Sequence, residues 1–228
     1  MSKWAGKYVI GLTGNIGTGK SVVRRMLEHL GAYGMDADAL AHRVIAKGAP
    51  GYRPVVDNFG RWVLTPDGQI DRGRLAKLVF SDPEALAVLE GIVHPLVDQA
   101  IDYIVKRAKQ PVVVIEAIKL IESSIASQCD GIWVVDAPKE AQLARLMKNR
   151  KMSEAEARRR IDVQPPQQEK LAAAQVVIHN TGSFQDTWRQ VVYAWQRFVP
   201  VGPVDAEAVT PAAAKPVQAR PAALNVVR

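Results

Sequence analysis

The first chemical signal is a run of eight residues, Gly14-Asn15-Ile16-Gly17-Thr18-Gly19-Lys20-Ser21, which satisfies the pattern G-x-x-x-x-G-K-[ST] in full. Glycines let successive backbone N–H groups turn inward around an anion, and a following helix N-terminus adds partial positive charge. Lys20 supplies a mobile cation for the terminal phosphates of a nucleotide. The Ser21 hydroxyl is a hard oxygen of the kind Mg²⁺ prefers. The competing reading is a chance glycine-rich turn, disfavoured by the match at every specified position. The glycine order is G-x-x-G-x-G and not G-x-G-x-x-G, which argues against NAD or FAD.

Two further groups can do chemistry. Asp36 and Asp38 stand at i and i+2, so they do not share a helix face and do not suit the same task. Asp36 suits a helix N-cap, and Asp38 in the first turn can point into a cleft to orient and deprotonate a hydroxyl. That both are caps at an exposed helix start stays open. Between Arg145 and Arg160, seven cations face only Glu154 and Glu156. Such a stretch expects an anionic partner, although a solvated helix face gives the same pattern. No guanine-reading N-K-x-D segment exists, and Asp57-Asn58-Phe59-Gly60 follows no strand pattern, so a GTPase is disfavoured. The size disfavours a large motor ATPase. A small kinase remains, which needs no Ser-His-Asp or Cys-His set because phosphoryl transfer relies on positioning and charge.

The elements that must position these groups alternate between strand and helix. Tyr8–Thr13 reads as a buried strand ahead of the glycines, and Ser21 to Leu30 as a helix behind them. Further strands are expected at 32–35, 112–115, 131–135 and 176–178. The β-branched run Val112-Val113-Val114-Ile115 is typical of a central parallel strand. Helices are expected over 140–149 and on the apolar stripe Phe184, Trp188, Val191, Val192, Trp195, Val199. The fold class is therefore α/β, with a parallel five-stranded sheet covered by helices on both faces. Residues 36–108 read as an entirely helical insertion, with Ser81 or Asp82 capping a helix that has Pro83 in its first turn, and Asp67-Gly68 as a turn. The division expected is a nucleotide-binding core (1–35, 109–147 and 167–199), the helical insertion (36–108) and a basic helical lid (148–166). Residues 200–228, with five prolines and eight alanines, read as a disordered tail.

Composition narrows the class. The 228 residues carry a net charge of +7 and 48 % hydrophobic types, as a soluble globular protein does. No apolar run approaches the roughly 18 residues of a membrane span. The opening residues lack the apolar stretch of a signal peptide, and Ser2 does not fit N-myristoylation. One cysteine, Cys129, and four scattered histidines give neither an intrachain disulfide nor zinc spacing. A cytoplasmic location is expected, with no membrane partner. No aromatics interleave the cations as base stacking on nucleic acid requires.

The ordered set of motifs resembles the dephospho-coenzyme A kinases. The likeness runs through Gly11 to Ser21, Asp36-Ala37-Asp38-Ala39-Leu40-Ala41, Phe59-Gly60, Leu64 to Arg72, Val79-Phe80-Ser81-Asp82-Pro83 and His94-Pro95. It continues through Met152 to Arg158 with Arg160 and Gln164, Lys170-Leu171, and Val177 to Ser183. It spans about residues 8 to 199. The resemblance implies a P-loop NTPase-type core and transfer of the γ-phosphoryl of ATP, with Mg²⁺, to the ribose 3′-hydroxyl of dephospho-coenzyme A, the last step of CoA biosynthesis. It implies ATP contacts from Gly14, Asn15, Ile16, Gly17, Thr18, Gly19, Lys20, Ser21, Val22, Arg150 and Asn180, and metal binding through Ser21. It implies acceptor contacts from Asp36, Asp38, Arg72, His94 and Arg160, with Lys20, Asp38 and Arg150 in catalytic roles. His94 also reads as a capping histidine, and Asn180 as a turn residue. The oligomeric state stays open, with a monomer favoured. The alternatives are another small-molecule or nucleoside monophosphate kinase, or a nucleotide-dependent nucleic-acid-binding switch.

The chain departs from the family at several positions. After the third strand, the family's Asp, Pro-Leu-Leu and Glu are replaced by Glu116-Ala117-Ile118-Lys119-Leu120-Ile121-Glu122. The longer Glu116 side chain moves a carboxylate near the metal outward, and Lys119 is an added cation. His42 stands where Arg is frequent, His179 where Asp is common, and Val22 where Thr is frequent.

Overall fold

The computed structural model describes residues 3–200. Five strands, β1 (Tyr8–Thr13), β2 (Tyr33–Asp36), β3 (Val112–Glu116), β4 (Gly131–Asp136) and β5 (Val176–His179), form one parallel sheet in the order β2-β3-β1-β4-β5. Each lies within a residue or two of its sequence expectation. Adjacent strand residues point to opposite faces, and in β1 and β3 both faces are buried. That is why these strands are uninterrupted apolar runs instead of alternating ones. The register sets Leu12 and Asp36 beside Glu116, and Asp136 beside His179. The polar residues at the strand ends therefore gather at one edge of the sheet. There β1 lies between β3 and β4, and the connections leave to opposite sides, which opens a crevice.

One face is covered by α1 (Lys20–His29) and α9 (Phe184–Phe198), where Val23, Met26 and Leu27 meet Ile10, Leu12, Val114, Trp133, Trp188 and Trp195. The other face carries α2 (Ala37–Val44) and α5 (Pro83–Arg107), with Leu40, Val97, Ile101 and Val105 packed on Val9, Val113 and Ile115. The helix α9 opens with a capping box, Ser183 with Asp186, which ends the turn expected at residues 180–183.

Within 36–108, α3 (Tyr52–Phe59), a 3₁₀ turn (Arg61–Val63) and α4 (Arg72–Ser81) build a separate core of Val55, Phe59, Val63, Leu75 and Val79 against α5. The cap of α5 is Asp82, whose carboxylate accepts from the N–H groups of Glu84 and Ala85, while Ser81 closes α4. The segment is not entirely helical. Leu64 and Ile70 form an antiparallel bridge around the turn at Asp67-Gly68, where Gly68 holds φ +76° and Thr65 N–H donates to Gln69 O at 2.8 Å. A two-residue bridge is too short to show a strand period in the sequence.

The basic segment is a helical hairpin followed by a short helix: α6 (Lys139–Arg150), α7 (Glu154–Asp162) and α8 (Gln167–Ala172). The chain reverses at Lys151, a non-glycine residue at φ 56°, and Ser153 caps α7. The residues expected to be a disordered tail lie outside the described residues, apart from Pro200. Among the described residues no helix is long and apolar enough to cross a membrane.

Candidate active site

The crevice is built around the loop between β1 and α1. Gly17 and Gly19 hold φ +76° and +101°. A Cβ at Gly17 would strike the backbone of α6 at Gln142, and one at Gly19 would strike the Asn180 amide. These positions are glycine for both conformation and space. Among the described residues, the N–H groups of Gly17, Gly19, Lys20 and Ser21 donate to no protein acceptor, while those of Asn15, Ile16 and Thr18 are engaged. Four free donors at a helix N-terminus make an anion cradle. Val22 lies beyond it: its N–H is spent on Gly19 O at 2.9 Å and its side chain is exposed.

Lys20 is buried, 7 % exposed, and its ammonium donates back to Asn15 O at 3.3 Å. Burial pulls its pKa below the ordinary lysine value, opposed by the nearby Glu116 and Asp38 carboxylates and reinforced by the positive charges of Arg150 and Lys170. Arg150, at the end of α6, therefore lies within electrostatic reach of the loop. The Ser21 hydroxyl donates to Glu116 Oε1 at 2.8 Å, and Glu116 Oε2 accepts from Arg24 Nε at 2.8 Å. Ser21 and Glu116 are hard oxygen donors that suit Mg²⁺, which keeps waters and shares phosphate oxygens and needs no protein cage.

Across the crevice stands Asp38. Its Oδ2 accepts from Ile118 N at 3.1 Å, and Ile118 O in turn accepts from the Thr13 hydroxyl at 3.1 Å. One peptide segment thus fixes the carboxylate to the end of the phosphate-loop strand. Burial raises the Asp38 pKa above the ordinary carboxylate value, aided by Asp36 and Glu116 and opposed by the Ile118 N–H and Lys20. Asp36 caps α2, accepting from Ala39 N at 2.9 Å. Arg72, at the start of α4, lies near His42. Burial and the Arg72 charge hold the His42 pKa below the usual histidine value, against Asp38 and Asp36. The structure therefore brings Asp36, Asp38, His42 and Arg72 together. His42 is one helical turn beyond Asp38, a spacing the sequence displays.

Asn180 sits against the loop: its Nδ2 donates to Thr18 O at 2.8 Å and its Oδ1 accepts from Thr187 Oγ1 at 3.0 Å. Two expected acceptor contacts lie elsewhere in this conformation. Arg160 is paired along α7 with Glu156 at 2.8 Å, and His94 is exposed on α5 ahead of Pro95. Residues without an assigned role in the sequence reading hold the site together. Arg145 clamps Gly17 O, Thr18 O and Asn180 O at 3.1, 3.0 and 2.6 Å. Gln164 and Gln167 accept from the Ile16 and Asn15 N–H groups. Lys170, 2 % exposed, pairs with Glu122 at 3.3 Å. Lys119 makes a surface pair with Glu90 at 3.7 Å.

The parallel sheet, the occupied and free amides of the glycine loop and the carboxylate facing it define a P-loop kinase. Residues 8–186 match the dephospho-CoA kinase family. A dephospho-CoA kinase from Geobacter metallireducens is 42 % identical over 198 residues, covering 86 % of this chain and 98 % of the relative. Among solved structures, a Thermus thermophilus protein aligns with TM-score 0.76 at 34 % identity, covering 86 % of this chain and 99 % of the other. A dephospho-CoA kinase from Campylobacter jejuni aligns with TM-score 0.55 at 28 % identity, covering 85 % and 98 %. The chain belongs to the dephospho-CoA kinase family.

Proposed function

We propose that this site transfers the γ-phosphoryl of ATP to the ribose 3′-hydroxyl of dephospho-coenzyme A, giving coenzyme A and ADP. The observation that carries the reading is the Thr13–Ile118–Asp38 tie, which sets a half-buried carboxylate opposite Lys20 and the four free loop amides. The N–H groups of Gly17, Gly19, Lys20 and Ser21 hold the phosphates, and Lys20 swings from Asn15 O to the terminal ones. Ser21, with Glu116 behind it, would hold Mg²⁺, which would supply positive charge to offset that of the nucleotide phosphates. Asp38 orients the acceptor hydroxyl and takes its proton.

Residues 148–166 serve as the lid. Its closure carries Arg150, and Arg160 released from Glu156, over the transferring group, and excludes water, the competing acceptor. Arg72 and His94 bind the anionic acceptor from the helical domain at 36–108, and Asn180 borders the adenine. On this reading the protein works in the cytoplasm, without a nucleic-acid or membrane partner, and its oligomeric state stays open with a monomer favoured. The test is coupled ADP release with ATP and Mg²⁺, offering dephospho-coenzyme A beside AMP, CMP, shikimate and no acceptor. ADP formed with dephospho-coenzyme A alone is the expected result. Turnover with another of these acceptors instead would overturn the substrate assignment and leave the phosphate loop's role standing.

A further inference from the structure

The phosphate loop has two halves, and the first is held from outside. Ile16 N donates to Gln164 Oε1 at 2.8 Å, and the Gln164 Nε2 donates to Arg160 O, in α7, at 2.9 Å. Asn15 N donates to Gln167 Oε1 at 3.1 Å, while Gln167 Nε2 donates to Val135 O, in β4, at 3.0 Å. Each amide is engaged at both ends, which fixes its orientation. Asn15 Nδ2 adds a bond to Pro165 O at 3.1 Å. The Ile16 side chain is buried among Leu146, Ala157 and Ile161, on α6 and α7. One glutamine therefore joins the loop to the basic hairpin, and the other joins it to the sheet. Asn15 and Ile16 are each 8 % exposed, so their N–H groups would be buried without partners if the glutamines were absent.

We propose that Gln164 and Gln167 are positioning residues: they clasp the first half of the phosphate loop, keep the second half presented to phosphate, and make the position of α7 depend on the loop. The inference rests on the reading of residues 148–166 as a lid. A nucleotide that settles the second half of the loop then shifts Ile16, and with it Gln164 and the last turn of α7 that precedes Gln164. A loop without the clasp binds ATP but closes over it loosely, so water competes better with the acceptor.

The test compares Gln164→Met, which keeps length and removes both bonds, with Arg150→Ala and the double variant in the full chain. Gln164→Met is expected to lower kcat about tenfold, the loss of roughly one to two hydrogen bonds. It should also raise ATP hydrolysis relative to transfer, hasten exchange of the Ile16 amide, and leave KM for dephospho-coenzyme A unchanged. In the Arg150→Ala background its further effect on kcat should be small, because the closed lid then has no Arg150 to bring over the transferring group. A purely structural role would lower the melting temperature without changing the hydrolysis-to-transfer ratio. Wild-type kcat and ratio in Gln164→Met, with Arg150→Ala impaired, would overturn the clasp and spare the lid reading. Losses that simply add in the double variant would overturn the coupling. Wild-type kcat in Arg150→Ala would overturn the lid reading and the coupled clasp together.

Discussion

Replacing Asp38 by Asn separates catalysis from stability at a single atom. The new side chain keeps an oxygen to accept from Ile118 N, now at 3.1 Å from Oδ2, so the geometry survives. The proton acceptor is lost. Such a loss costs about a hundredfold to ten-thousandfold in kcat, with KM for ATP nearly unchanged because the loop amides are untouched. Stability should move the other way. Burial raises the folded-state pKa of Asp38 above its unfolded value, so the stability this group contributes is complete below the unfolded pKa and is lost as pH rises through the folded one. At neutral pH the ionised carboxylate therefore costs stability, about 1.4 kcal/mol for each tenfold rise in its proton affinity on folding, and the neutral amide escapes that cost. Asp38→Asn should melt above the parent at pH 7, with the gap closing as pH falls below the ordinary carboxylate range. In the parent, the raised pKa carries the acid limb of kcat/KM to higher pH than an ordinary carboxylate gives. Scanning calorimetry against pH, together with the coupled ADP assay, reads both effects. Near-normal kcat in Asp38→Asn would refute the base assignment; a lower melting temperature at pH 7 would refute the account of its burial.

Glu116→Gln removes the charge that Ser21 and Arg24 share. The Mg²⁺ concentration for half-maximal activity should rise several-fold, and an unchanged Mg²⁺ titration would take Glu116 out of the metal's surroundings. Arg145→Ala cuts three charge-assisted bonds to the loop and to Asn180, so KM for ATP should rise about tenfold to a hundredfold with a smaller change in kcat. The Lys20 pKa lies below its ordinary value through burial, and added phosphate charge raises it. ATP binding at alkaline pH should accordingly take up protons, read by titration calorimetry in buffers of different ionisation enthalpy. Burial pushes the Cys129 thiol up to about 12, so at pH 8 the folded protein should resist iodoacetamide and react only on unfolding.

What was legible in the sequence was local. The eight-residue loop states its own conformation, since glycines at three positions and a lysine before a hydroxyl have few other uses together. Asp36 as a cap, a cap at Ser81 or Asp82, the turn at Asp67-Gly68 and the strand runs follow from neighbours within a few residues. The clasp did not show itself, because Gln164 and Gln167 meet the loop across about 150 residues of chain, and a glutamine beside two prolines looks like any exposed turn. Arg145 was visible only as one of seven cations. In the fold it is a clamp, because α6 lays its inner face on Gly17 and Thr18. Lys119, an unexplained cation in the sequence, proves to be a surface partner of Glu90.

The distribution of charge explains why these long-range ties are needed. Lys20 lies within reach of two other cations, Arg150 and Lys170, and of two carboxylates, Glu116 and Asp38. Each carboxylate is already engaged, Glu116 with Ser21 and Arg24, Asp38 with the Ile118 N–H. Among the described residues, Lys20 hydrogen-bonds only the Asn15 carbonyl, and the N–H groups of Gly17, Gly19, Lys20 and Ser21 meet no acceptor. A buried ammonium with one neutral partner is an unfavourable arrangement that an anion relieves. The unbound protein can keep that arrangement only if the surrounding backbone cannot collapse onto it. Arg145 and Asn180 hold the far side of the loop, the two glutamines hold the near side, and Ile118 holds Asp38 at its distance. The ties of Arg145, Gln164, Gln167 and Ile118, which the sequence hid, thus keep the anion site open, while the residues it displayed are those we propose the anion meets.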